Sequence, residues 1–107
     1  MFPRNEWHHV GSIGVHLEWK SRSVALVRVF EEPFGSIDPE TKQPWQSWTW
    51  GCVAVKSGKT ITICLAQTAP IISYLKAFKT IARKIGMRAF IWERWHDGRK
   101  FPVRFRL

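Results

Sequence analysis

The stretch from Thr60 to Trp92, TITICLAQTAPIISYLKAFKTIARKIGMRAFIW, contains the change of period on which the fold turns. Its first residues are β-branched and read as a strand, its last are apolar and read as another, and between them the apolar residues recur with the period of a helix. Thr68 can cap that helix. Pro70 is tolerated in its first turn, where an N–H has no helical partner, and Gly86 stands where a left-handed residue stops it. Ile71, Leu75, Phe78, Ala82 and Ile85 recur at steps of four and three, giving one apolar stripe to pack on a sheet. Lys76, Lys79 and Arg83 fall on a second stripe, and no acid occurs between Thr68 and Glu93 to pair with them. The spacing predicts a helix over Ala69 to Ile85.

Upstream, WQSWTWGCVAVKSGKTITICLA reads as a hairpin turning at Ser57-Gly58. That turn pairs Lys56 with Lys59 and sets Ala54 opposite Ile61, Cys52 opposite Ile63 and Trp50 opposite Leu65, on the core side. Cys64 then lies opposite Gly51 and points to the other face, so the register disfavours a disulfide between the two cysteines and both read as buried thiols. Further upstream, GVHLEW alternates apolar and polar residues, and Val24 to Phe30 is a denser β-branched run. KSRS joins them in a short turn. Between the two hairpins lies a long loop over 31–44, EEPFGSIDPETKQP, with three of the six prolines and half of the acids. Trp48 and Trp50 share a face and read as core, while Trp45 borders the loop.

Downstream, FIWERWHDGRKFPVRFRL ends the chain. A two-residue Asp97-Gly98 turn sets His96 opposite Arg99, Phe90 opposite Phe105 and Trp92 opposite Val103. Those four apolar residues, with Phe101, face the core; Ile91, Glu93, Trp95, Lys100, Arg104 and Arg106 face away. The elements run β-β-β-β-α-β-β, and the expected fold is a single α+β domain: an antiparallel sheet of about six strands with one long helix packed on one face.

The chain has 107 residues, 45% of them hydrophobic and 23% charged, which suits one folded domain with one modest core. No apolar run approaches the length of a membrane span and MFPRNEWHHV lacks the apolar stretch of a signal peptide, so a cytoplasmic protein without membrane contact is expected. Seventeen Lys and Arg against eight Asp and Glu give a net +9. Residues 69–107 hold ten bases and two acids, residues 1–68 seven bases and six acids, so the excess belongs to the C-terminal third. Such a field attracts polyanions.

Catalytic signatures are absent, and no cofactor is expected. His8 and His9 are adjacent on an extended segment and point apart, and neither they nor His16 have a cysteine or carboxylate at ligand spacing, so no metal site is read. Cys52 and Cys64 lie in apolar strands without a cation to lower a thiol pKa. Phosphate-binding glycine motifs are missing. The segment Thr60–Trp92 resembles, in its order of strand, helix and strand, the cofactor-binding segment of the GNAT acetyltransferases. In that family glycines at the strand-to-helix turn admit a pyrophosphate; here the turn LAQTAPI has none, and a proline removes an amide. The resemblance implies a degenerate acetyltransferase-like domain as a third reading of function. Ahead of it stand two others. The first is a small nucleic-acid-binding module, for single-stranded or structured nucleic acid, in which Lys76, Lys79, Arg83, Lys100, Arg104 and Arg106 contact phosphates and Trp95 stacks a base. The second is a small inhibitor or adaptor docking its Trp- and Arg-rich surface on an acidic protein.

Overall fold

The computed structural model describes residues 1–31, 49–64 and 72–107, without the side chains of Trp95 and His96. Seven strands form one sheet in sequence order: β1 (Arg4–Val10), β2 (Ile13–Trp19), β3 (Val24–Glu31), β4 (Trp50–Ser57), β5 (Thr60–Cys64), β6 (Ala89–His96) and β7 (Arg99–Arg106). One helix, α1 (Ile72–Lys84), lies between β5 and β6. Neighbouring strands are antiparallel except β5 and β6, which are parallel from Thr60↔Ala89 to Ile63↔Trp92.

This corrects the expected antiparallel sheet of about six strands with a long helix. The sheet is mixed because a helix that follows a strand and packs back along it returns the chain to the end where it started, so the next adjacent strand runs parallel. The seventh strand is β1. Its RNEWHHV sequence hides a strand behind charged and imidazole side chains, but a two-residue turn opened by Gly11, at φ +60°, folds it onto β2 with Trp7 opposite His16. The helix spans thirteen residues; the expected start, Ala69 to Ile71, lies outside the described residues.

The helix stops before Ile85 for a visible reason. Gly86 sits at φ +84°, the Gly86 N–H donates to the Arg83 carbonyl at 3.1 Å, and the Met87 N–H donates to Ala82 at 2.9 Å. These two bonds satisfy carbonyls left open by the last turn, and Met87 buries its side chain behind them. The helix packs through Tyr74, Ala77, Phe78, Ile81 and Ala82, so the buried stripe is centred about a residue away from the one read in the sequence; Ile71 is outside the described residues.

Facing the helix are Val15, Leu17, Trp19, Val27, Val29, Trp50, Cys52, Ala54, Ile61, Ile63 and Phe90, the core of the molecule. The β4–β5 turn is Gly58-Lys59, so Ala54 opposes Ile63 and Cys64 opposes Val53. This corrects the Ser57-Gly58 register by two residues, which leaves every side chain on its expected face. The β6–β7 register is as read: Asp97 and Gly98 take φ +49° and +72°, and Phe90 opposes Phe105. Phe101, expected to face the core, is 47% exposed. Of the loop over 31–44 only Glu31 is described; its Oε1 accepts a hydrogen bond from Tyr74 Oη at 2.8 Å, tying β3 to the helix. Trp45 and Trp48 also lie outside the described residues. Among the described residues no helix is long and apolar enough to cross a membrane.

Candidate functional site

Two polar constellations lie away from the helix, one on the first three strands and one on the last three. The first is closed. On β2, His16 is 1% exposed, with Trp7 stacked on its ring at 4.2 Å. Its Nε2 donates to Asn5 Oδ1 at 2.9 Å, and Nδ1 accepts from the Arg28 guanidinium at 3.3 Å. A ring that both donates and accepts is neutral. Burial and then the Arg28 charge lower its pKa from 6.5 to about 4. Arg28 also reaches Glu18 Oε1 at 3.1 Å, and Lys20 reaches Glu18 Oε2 at 3.0 Å. The Lys20 and Arg28 bonds hold the Glu18 carboxyl below its ordinary range, against the opposing effect of burial. With both ring nitrogens engaged, His16 has no lone pair left for a metal. His8 pairs instead with Glu6 at 3.2 Å, facing the opposite side of the sheet.

The second constellation is open. Phe90 and Phe105 pack with ring centroids 5.8 Å apart and planes tilted by 35° on the helix side, and alternation along the two strands therefore turns Arg104, opposite Ile91, and Arg106, opposite Ala89, to the other face. Three backbone bonds bring two further cations beside them. The Lys59 carbonyl accepts from the N–H groups of Arg88 at 2.7 Å and Ala89 at 3.1 Å, and the Arg88 carbonyl accepts from Leu107 at 3.0 Å. The β4–β5 turn, the start of β6 and the end of β7 are thereby pinned together. Between them lies an open cleft of about 540 Å³, lined by Lys59, Thr60, Arg88, Ala89, Arg104, Arg106 and Leu107. Four cationic side chains and no acidic side chain form its wall. Among the described residues no carboxylate pairs with any of the four.

The residues expected from the sequence to form one surface are divided by the sheet. Arg104 and Arg106 enter the cleft. Lys100 lies on the same face but is paired with Glu93 at 2.9 Å. Trp95 occupies β6 opposite Lys100, with its side chain outside the described residues. Lys76 and Arg83 are exposed on α1, across the sheet, and Lys79 on the same helix holds its ammonium 3.8 Å over the Phe105 ring, a cation–π contact that caps the core. Lys59 and Arg88 were missed because nothing local links residues so far apart in sequence; only the parallel β5–β6 pairing joins them.

The cysteines are free, Cys52 buried on the core side and Cys64 half-buried on the other. Burial pushes both thiols up in pKa, with the Glu93 charge adding to the effect at Cys64. Neither is an activated nucleophile. No family model, curated protein or solved structure matches the chain.

Proposed function

We propose that this protein is a small nucleic-acid-binding module that grips phosphates through the cleft of Lys59, Arg88, Arg104 and Arg106. What carries the reading is the convergence of four cations from three chain segments on one cleft with no acidic side chain in its wall. Arginine is suited to this role, because its planar fork donates two parallel hydrogen bonds to a phosphate. The backbone bonds among Lys59, Arg88, Ala89 and Leu107 fix the cleft before any ligand arrives, which lowers the ordering cost of binding. The half-buried Thr62 and Ile91 continue the same face inward from the arginines and offer a floor for bases.

An electrophoretic shift assay over a range of salt, with single- and double-stranded DNA and RNA, tests this directly. Phosphate neutralisation makes the logarithm of affinity fall with the logarithm of salt by roughly 0.7 to 0.9 per phosphate contacted. Arg104→Ala lowers that slope by about one. Lys76→Ala and Arg83→Ala, across the sheet, leave it unchanged. Absence of binding to every nucleic acid at low salt overturns the proposal, and the cleft is then to be sought in contact with an acidic protein.

A further inference from the structure

The cleft differs from a surface that follows a phosphate backbone. Along an extended strand each phosphodiester carries a single charge, and a matching protein surface spreads its cations along the path. Here Lys59, Arg88, Arg104 and Arg106 come from the β4–β5 turn, the start of β6 and the end of β7, and meet around one opening. The next cation along β7 on that face, Lys100, is taken by Glu93 at 2.9 Å, so the free positive charge ends within the cleft on that side. A phosphomonoester suits such a site better than a phosphodiester. It carries about −1.5 to −2 at neutral pH and three acceptor oxygens, against one charge and two free oxygens for an internal linkage.

Resting on the nucleic-acid reading, we infer that the cleft takes the phosphorylated end of a strand. Lys59, Arg88, Arg104 and Arg106 surround the terminal phosphate, the Thr60 hydroxyl is placed to donate to it, and the strand leaves over Thr62 and Ile91.

Competition against a labelled strand tests this with three unlabelled oligonucleotides of one sequence, bearing a 5′-phosphate, a 3′-phosphate or hydroxyls at both ends. One phosphorylated end competes about tenfold better than the hydroxyl form, the effect of a single added charge-assisted hydrogen bond; which end does so gives the polarity. The preference disappears in Lys59→Ala/Arg88→Ala and is kept in Lys76→Ala/Arg83→Ala, with circular dichroism confirming that both variants are folded. Equal competition by all three oligonucleotides overturns this inference while leaving the nucleic-acid reading standing. A preference that survives Lys59→Ala/Arg88→Ala overturns the assignment to the cleft. Failure of the labelled strand to bind at all removes both proposals.

Discussion

The first three strands and the last three both carry arginine and lysine, yet they treat them in opposite ways. On β1 to β3, Arg4 pairs with Glu6, Lys20 and Arg28 share Glu18, and His16 is held neutral between Asn5 and Arg28. At the other end of the sheet Lys59, Arg88, Arg104 and Arg106 pair with no carboxylate among the described residues. The first arrangement spends its charge internally and holds strands together; the second leaves it exposed to solvent. Net charge alone does not locate a binding surface, because a paired cation contributes little field beyond its partner.

The largest effect that sharpens this contrast is one of pH. The unfolded chain binds a proton at His16 below pH 6.5, whereas the folded protein does so only near pH 4. Stability is therefore complete above pH 6.5 and falls as the pH drops toward 4, by about 2 kcal/mol between pH 7 and pH 5. Urea unfolding at the two values measures it. His16→Gln is less stable at pH 7 but lacks this slope; an unchanged slope in that variant means that a group other than His16 is responsible for it.

A smaller effect compares the two hairpin turns. Gly11 and Gly98 have φ +60° and +72°, and an added Cβ at either meets no atom within 4 Å, so only backbone strain opposes a side chain. Gly11→Ala and Gly98→Ala each cost about 1 kcal/mol in thermal or urea unfolding. Equal costs mean that the two sides differ in charge and not in backbone; a clearly larger cost at one turn breaks the comparison.

The smallest effect on stability is at the Glu93–Lys100 ion pair of the last hairpin. Glu93→Gln frees Lys100 and changes unfolding by less than about 0.5 kcal/mol, as expected for a largely solvated pair. In the salt titration it extends the free positive charge along β7 and raises the slope by up to about one. A slope that falls instead means that Glu93 supports the cleft.

What the sequence made legible follows the range of each interaction. Asp97-Gly98 is a strong local turn signal and gave the β6–β7 register residue by residue, and with it the outward face of Arg104 and Arg106. At the β4–β5 turn, Gly58 fits either of two placements, and the neighbouring one is taken; since the difference is two residues, Cys52, Ala54, Ile61 and Ile63 stayed on the core face. β1 escaped because Arg4, Asn5, Glu6, His8 and His9 mask the alternation, and its strand character comes from Gly11 and from the partner it finds in β2. The parallel β5–β6 pair has no local signature. It was implied only by the order of strand, helix and strand, and without it Lys59 and Arg88 stay unconnected and the helix cations look like neighbours of the hairpin ones.

That parallel seam has a kinetic meaning as well. Most neighbouring strands meet through short turns, but β5 and β6 join across the whole helical connection and by only four registered residue pairs. Closing so long a loop for so few pairs makes this the slowest junction to form and the first to open, with the antiparallel hairpins on either side already in place. Lys59 and Thr60 stand on one side of the seam and Arg88, Arg104 and Arg106 on the other. An anion bound between them, as proposed above, would work as a clasp: it would bind only the closed form, and so slow amide exchange along β5 and β6 before it slowed exchange anywhere else in the sheet.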